Sequence, residues 1–108
     1  MNRAVSRKST GKAAAAPWTF LSNHAHVLIC LAQDPTLRIQ DLAERVEITY
    51  RAVQRILDDL EAAGYLTRRR RQDDARSNEY RVNTSLPLRH PIEQHQRVAA
   101  LLALGKAR

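Results

Sequence analysis

Between Ile39 and Leu66 the apolar residues fall at helical spacing twice over. Ile39, Leu42, Ala43 and Val46 share one helical face, with Asp41, Glu44 and Arg45 off it. Ile48 and Thr49 then break the pattern. Thr49 is well placed to cap a second helix, its hydroxyl accepting a backbone N–H that the first turn leaves unpaired. Val53, Ile56, Leu57 and Leu60 resume the spacing, and Gly64 follows as a residue able to turn left-handed without a Cβ penalty. Two short helices so tightly joined cannot bury their stripes separately. They must cross and share a core, as in a helix-turn-helix.

The flanking sequence supplies what this pair packs against. A first helix is predicted from Thr19 to Gln33, with Phe20, Leu21, Ala25, Leu28, Leu31 and Ala32 on its core face. Ile29 and Cys30 lie on the flank that should be wet, so the helix is apolar nearly all round and needs a second cover. The C-terminal helix or a partner subunit are the two sources for it. Asp34-Pro35 ends the helix, and Thr36-Leu37-Arg38 is a candidate short strand. Beyond Gly64, Tyr65, Leu66 and Thr67 suit a strand, and Tyr80 and Val82 alternate with polar residues as a second. The polar, arginine-bearing span between them makes a β-hairpin with a basic tip. Leu86 to Pro91 is extended, because a residue before proline is pushed out of helix. Pro91 can then serve as the first residue of a last helix through Leu104, with Ile92, His95, Val98, Ala99 and Leu102 on one face and Leu101 and Leu104 broadening it.

Composition narrows the partner. The chain has 108 residues, 44% of them hydrophobic, enough for one domain with a modest core. A net charge of +7 and a pI near 10.5 point to an anionic partner, most plausibly nucleic acid. No apolar run approaches the roughly 20 residues that span a bilayer. The basic N-terminus has no apolar stretch of the kind a secretory signal needs. A single cysteine excludes an internal disulfide and suits a reducing cytosol. Residues 1–16 carry four basic side chains, no acid and little apolar bulk, which predicts a disordered arm, either tracking DNA phosphates or merely solubilising. The predicted organisation is that arm, a DNA-binding unit over 17–85, and an 86–108 extension that is the expected dimerisation element.

The second helix of the pair, about 50–63, carries the functional argument. With Val53, Ile56 and Leu60 inward, Arg51, Gln54, Arg55 and Asp58 face outward, and Tyr50 sits near the first turn. Arginine can donate two hydrogen bonds to the major-groove edge of guanine, and glutamine can do the same for adenine. Thr49 at the helix start, and Arg68, Arg69, Arg70, Arg71 and Arg76 in the hairpin, are the candidate phosphate or minor-groove contacts. Read singly, these arginines are ordinary solvated charges. Following the recognition helix directly, the basic span 68–79 gains weight as a second contact.

Other chemistries find less support. His24 and His26 point to nearly opposite sides of a helix; His26 and Cys30 share a face and suit Zn²⁺ only if others complete the tetrahedron. No paired-cysteine motif does so, and no metal or other cofactor is expected. A redox role for Cys30 requires a basic neighbour and access. No glycine-rich phosphate loop or nucleophile motif is present, and Asp58, Asp59, Asp73 and Asp74 read as salt-paired surface charges, so no enzyme is expected.

The run LAERVEITYRAVQRILDDLEAAGYLTR and the hairpin ending NEYRV resemble the winged helix-turn-helix regulators of bacteria and archaea, specifically the MarR and ArsR-like groups. WTFLSNHAHVLICLA and LPLRHPIEQH look like small regulators of this type, so the resemblance covers about residues 17–104. Asp74-Ala75-Arg76 loosely matches the acidic-x-Arg element of MarR wings. The resemblance implies a mainly α fold with a small β-hairpin (α+β), a winged helix-turn-helix with an additional C-terminal helix. It also implies a cytoplasmic, nucleoid-associated homodimer binding double-stranded DNA through the recognition helix and wing, with no membrane contact. The chain is shorter than a typical MarR protein, and a small-molecule effector stays unspecified. Ile29, Cys30, Ile92, His95, Val98, Ala99 and Leu102 are the expected dimer contacts. Two functions follow: a sequence-specific transcriptional regulator, or an architectural or protein-interaction module that grips acidic surfaces or any DNA.

Overall fold

The computed structural model describes residues 18–73 and 77–106. In order they form α1 (Asn23–Gln33), α2 (Ile39–Val46), α3 (Tyr50–Ala62), β1 (Leu66–Arg70), β2 (Asn78–Val82) and α4 (Val98–Ala103). The architecture is α+β: helices around one core, with an antiparallel two-stranded hairpin against α1 and α3.

The helix-turn-helix follows its sequence pattern closely. Leu42 and Ala43 of α2 are buried, as are Val53, Ile56, Leu57 and Leu60 of α3, while Ile39 and Val46 pack at the margin. The Arg38 N–H donates to the Asp41 carboxylate at 3.0 Å, satisfying one unpaired donor at the start of α2. Thr49 caps α3, its Oγ1 accepting from the Ala52 N–H at 3.0 Å. Gly64 follows the Ala63 C-cap at φ +87°, the left-handed position that stops the helix. The turn between the helices contains no glycine: Glu47 takes the left-handed conformation at φ 65°. Its N–H and that of Ile48 both donate to the Ala43 carbonyl, which closes α2 within one turn.

α1 begins at Asn23 rather than Thr19. Ser22 is the cap, its hydroxyl accepting from the Ala25 N–H at 3.2 Å. Thr19 donates its hydroxyl to the Leu21 carbonyl, a local bond that competes with helix. Phe20 is therefore no part of the core: it is 92% exposed and meets Trp18 edge to face. The buried face is Val27, Leu28 and Leu31, with Ala32 exposed.

The hairpin pairs Leu66 with Val82, Arg68 with Tyr80 and Arg70 with Asn78 on one face, and Thr67 with Arg81 and Arg69 with Glu79 on the other. Leu66 and Tyr80 are buried in the core. The expected strand at Thr36–Arg38 is reduced to one bond, from the Tyr80 N–H to the Pro35 carbonyl. The Leu37 N–H turns back to the Asp34 carbonyl instead, and its side chain is buried.

The expected helix from Pro91 to Leu104 is the largest departure. Helix forms only at Val98–Ala103, and residues 86–97 are a loop closed on itself. Pro87 and Arg97 form a β-bridge; the Leu88 N–H donates to the Gln96 carbonyl and that of Val98 to the Leu86 carbonyl. The Tyr65 hydroxyl holds the Pro87 carbonyl at 2.6 Å, and the Ile92 N–H is taken by His90 Nδ1. These bonds use backbone groups that a helix would need, and the fold gains burial of Leu86, Leu88 and Val98 against the core. Ile92 is left 77% exposed.

The second cover that α1 required comes from the chain itself. α4 packs on α1, and Gly105 approaches so closely that a Cβ there would overlap Ile29. Gln33 Nε2 donates to the Gly105 carbonyl at 2.6 Å and pins the contact.

Candidate nucleic-acid interface

The dry face of α3 dictates its wet one. With Val53, Ile56, Leu57 and Leu60 buried, the 3.6-residue period turns Arg51, Gln54, Arg55 and Asp58 outward, all exposed, with Tyr50 48% exposed at the first turn. Among the described residues no hydrogen bond or ion pair holds Arg51, Gln54 or Arg55. Their donors project into solvent from a helix packed on three others elements' worth of core, a rigid base for reading an external surface.

The hairpin arginines divide. Arg69 lies on the outer face of β1, across from Glu79, and is exposed without a hydrogen-bond partner among the described residues; Arg70 is exposed and engaged. Arg71 forms two bonds to Asp73, Nε to Oδ1 at 2.9 Å and Nη2 to Oδ2 at 2.6 Å. That guanidinium holds the Asp73 carboxyl below the usual carboxylate range. Arg68 turns inward, where its Nη2 reaches Asp58 at 3.3 Å and Glu61 at 2.9 Å on α3. Its guanidinium also lies 5.9 Å from the centre of the Tyr80 ring. The residue types gave no sign of this last arrangement, although the outward position of Asp58 was one half of it. Arg76, like the whole 1–16 arm and Asp74, lies outside the described residues.

Of the carboxylates expected to be salt-paired, Asp58 meets Arg68 and Asp73 meets Arg71, while Asp59 lies at hydrogen-bond distance, 2.9 Å, from His24 Nε2. His26 Nδ1 contacts Asn23 Oδ1 rather than Cys30. Burial pushes the Cys30 thiol up, with Arg45 pulling weakly the other way, so the thiolate is disfavoured. Among the described residues no three His, Cys, Asp or Glu side chains are grouped to hold a metal ion, and no helix is long and apolar enough to cross a membrane.

The expected dimer contacts are dispersed. Val98 is wholly buried within its own chain, and Ile29 lies under Gly105. Cys30 and Leu102 are half-buried, while Ile92, His95 and Ala99 are exposed. The absence of helix over residues 91–97 separates residues that were to share one face.

A family model described as MarR matches residues 22–77, a span that runs from the cap of α1 to the end of the hairpin loop. No curated protein matches the chain at the level of sequence. Among solved structures, a mutant of MepR from S. aureus is 19% identical with a TM-score of 0.58, over 80% of this chain and 56% of that one. FabT from Streptococcus pneumoniae, solved in complex with DNA, is 22% identical with a TM-score of 0.51, over 56% and 42% of the two chains. The adhesin competence repressor AdcR from Streptococcus pyogenes is 25% identical with a TM-score of 0.53, over 58% and 45%. The chain thus spans about half the length of these proteins. On the family match and the shared helix-turn-helix and hairpin, the chain belongs to the MarR family of winged-helix regulators.

Proposed function

We propose that this protein is a sequence-specific regulator of transcription that inserts α3 into the major groove of duplex DNA and sets its hairpin against the adjoining backbone or minor groove. The observation that carries the reading is the outer face of α3, where Arg51, Gln54 and Arg55 are exposed and held by no other described side chain. Donors left in solvent on a rigid helix suit base edges, whereas donors already paired do not. The net charge of +7 adds the sequence-independent attraction, and Arg69 and Arg70 on the hairpin extend it. The family is one of DNA-binding regulators rather than enzymes, and FabT was solved with DNA.

The working unit is a homodimer in the cytoplasm. Trp18, Phe20, Ile92 and Leu104 are large apolar side chains between 62% and 92% exposed, and burial of such side chains against a second copy would be favourable. Two-fold symmetry would then set two α3 helices about one DNA turn, roughly 34 Å, apart on a palindromic site. Selection of bound sites from a random duplex library, followed by affinity for selected against scrambled DNA, tests the reading. The expected preference is at least roughly 10³-fold at fixed salt. Equal affinity for both would replace it with an architectural, sequence-blind role. A monomer in sedimentation on DNA and off would end the dimer.

A further inference from the structure

We propose that Arg68 is a positioning residue: it clamps the root of the hairpin to the C-terminal half of α3 and so sets the angle at which wing and recognition helix meet DNA, without touching DNA itself. The DNA part of this inference rests on the reading above; the clamp does not.

The clamp is built from both elements at once. β1 presents Leu66 and Arg68 on the same face, and Leu66 is anchored in the core, so Arg68 is directed back toward α3. There one nitrogen, Nη2, bridges two carboxylates three residues apart on the helix, Asp58 at 3.3 Å and Glu61 at 2.9 Å. Residues at this spacing lie side by side on a helix surface, so they form a two-point seat for one guanidinium. Tyr80, the cross-strand partner of Arg68, backs the group from the hairpin side at 5.9 Å. The Arg68 side chain is only 25% exposed, against 74% for Asp58 and 43% for Glu61. Its Nε is buried without a partner. A side chain seeking phosphate would keep its head in water and its donors outward; this one gives up hydration to lie across the joint.

Two consequences follow for DNA. The hairpin joins α3 through the short link Ala63–Tyr65, so a small rotation at that joint swings the distal wing residues Arg69 and Arg70 through a larger arc. Arg68 also neutralises two carboxylates on the exposed side of the recognition helix, where a phosphate backbone would be repelled. Positioning and neutralisation are separable. Asp58→Asn with Glu61→Gln removes the charges and weakens the clamp together with Arg68→Gln, leaving nothing to neutralise.

The test compares wild type, Arg68→Lys, Arg68→Gln and the triple variant Arg68→Gln/Asp58→Asn/Glu61→Gln in the full-length chain. Residual dipolar couplings measured without DNA report whether hairpin and α3 share one frame. Wild type is expected to fit a single alignment frame, Arg68→Gln and the triple variant to need two, and Arg68→Lys to fall between because ammonium bridges the seat less well. Hydroxyl-radical footprints on selected DNA should then lose wing-side protection in Arg68→Gln and the triple variant while α3 protection persists, with affinity down about tenfold. One common frame in Arg68→Gln overturns the clamp, whatever DNA does. Full recovery of the footprint and affinity in the triple variant overturns positioning in favour of charge neutralisation alone. Two frames in Arg68→Gln together with no selective DNA binding by wild type would uphold the clamp and sink the functional reading instead.

Discussion

The arginines of α3 and those of the hairpin are drawn from the same residue type yet stand in opposite conditions. Arg51 and Arg55 ride a helix whose other face is dry, so the helical period alone turns them to solvent, and no described carboxylate reaches them. Along β1 the period is two, so successive arginines alternate faces: Arg68 goes to the joint with α3 and Arg69 to the outer surface. At the hairpin loop, Arg71 is bound by Asp73 two residues on. The difference teaches that positive charge and available charge are distinct quantities. Only an arginine that has not already exchanged its hydration for a protein partner can offer its donors to a base or phosphate at low cost.

This contrast can be broken at its base, in the packing that aims α3. Leu57 is fully buried at the centre of the helix-turn-helix, and Leu57→Ala should cost about 2–5 kcal/mol of stability, seen as a lower denaturation midpoint. DNA binding should fall with it, because the outward arginines lose their platform. Unchanged stability would mean that the two faces of α3 are not coupled as described.

Removing the free donors themselves sharpens the contrast. Arg51→Ala and Arg55→Ala should each cost about 1–3 kcal/mol against the selected DNA site and relax base choice at one position, with stability unchanged. Arg69→Ala should instead weaken all sequences alike and lower the salt slope by about one phosphate contact. If all three changes give equal, sequence-blind losses, the helix and hairpin arginines are not different in kind.

A smaller effect is expected at the start of α3. Thr49→Ala removes the cap on the Ala52 N–H and should cost about 1 kcal/mol, with Thr49→Ser retaining most of the stability. Unchanged stability in Thr49→Ala would show that the cap is not what starts this helix.

The smallest effect concerns the paired end of the hairpin. The Asp73 carboxyl is held low by Arg71, so its folded value lies below the unfolded one of about 3.9. Its contribution to stability is therefore present above the unfolded value and lost as pH falls through the folded one. In Arg71→Ala, the Asp73 carboxylate titration followed by NMR should move up toward the unfolded value. An unmoved midpoint would break the pairing. Both groups being exposed, little change in overall stability should accompany it.

How far these features could be read from the chain depended on how local their causes are. The stripes of α2 and α3, the Thr49 cap and the Gly64 stop each follow from residues within one or two turns, and all appear where the spacing puts them. The hairpin strands were equally local in their alternation. Phe20 misled because apolar character near a helix start resembles a helical stripe, while the Ser22 cap and the Thr19–Leu21 bond put the boundary beyond it. The Pro91–Leu104 pattern misled for the opposite reason. Its helical spacing is real, but Tyr65, Leu86 and Val98 impose longer-range bonds that the spacing cannot register.

Sequence by itself therefore determined which residues of α3 are dry and which are wet, because a helix with a fixed period and a single buried stripe leaves no other solution. Tertiary structure alone decided which arginines remain available, where the C-terminal segment runs, and what covers α1. Those outcomes depend on groups that separate parts of the fold bring together, Arg68 on β1 with Asp58 and Glu61 on α3, Tyr65 with Pro87, Ile29 with Gly105. Hydrogen bonds and ion pairs form between whatever donors and acceptors the folded backbone brings within reach, and no local periodicity encodes that proximity.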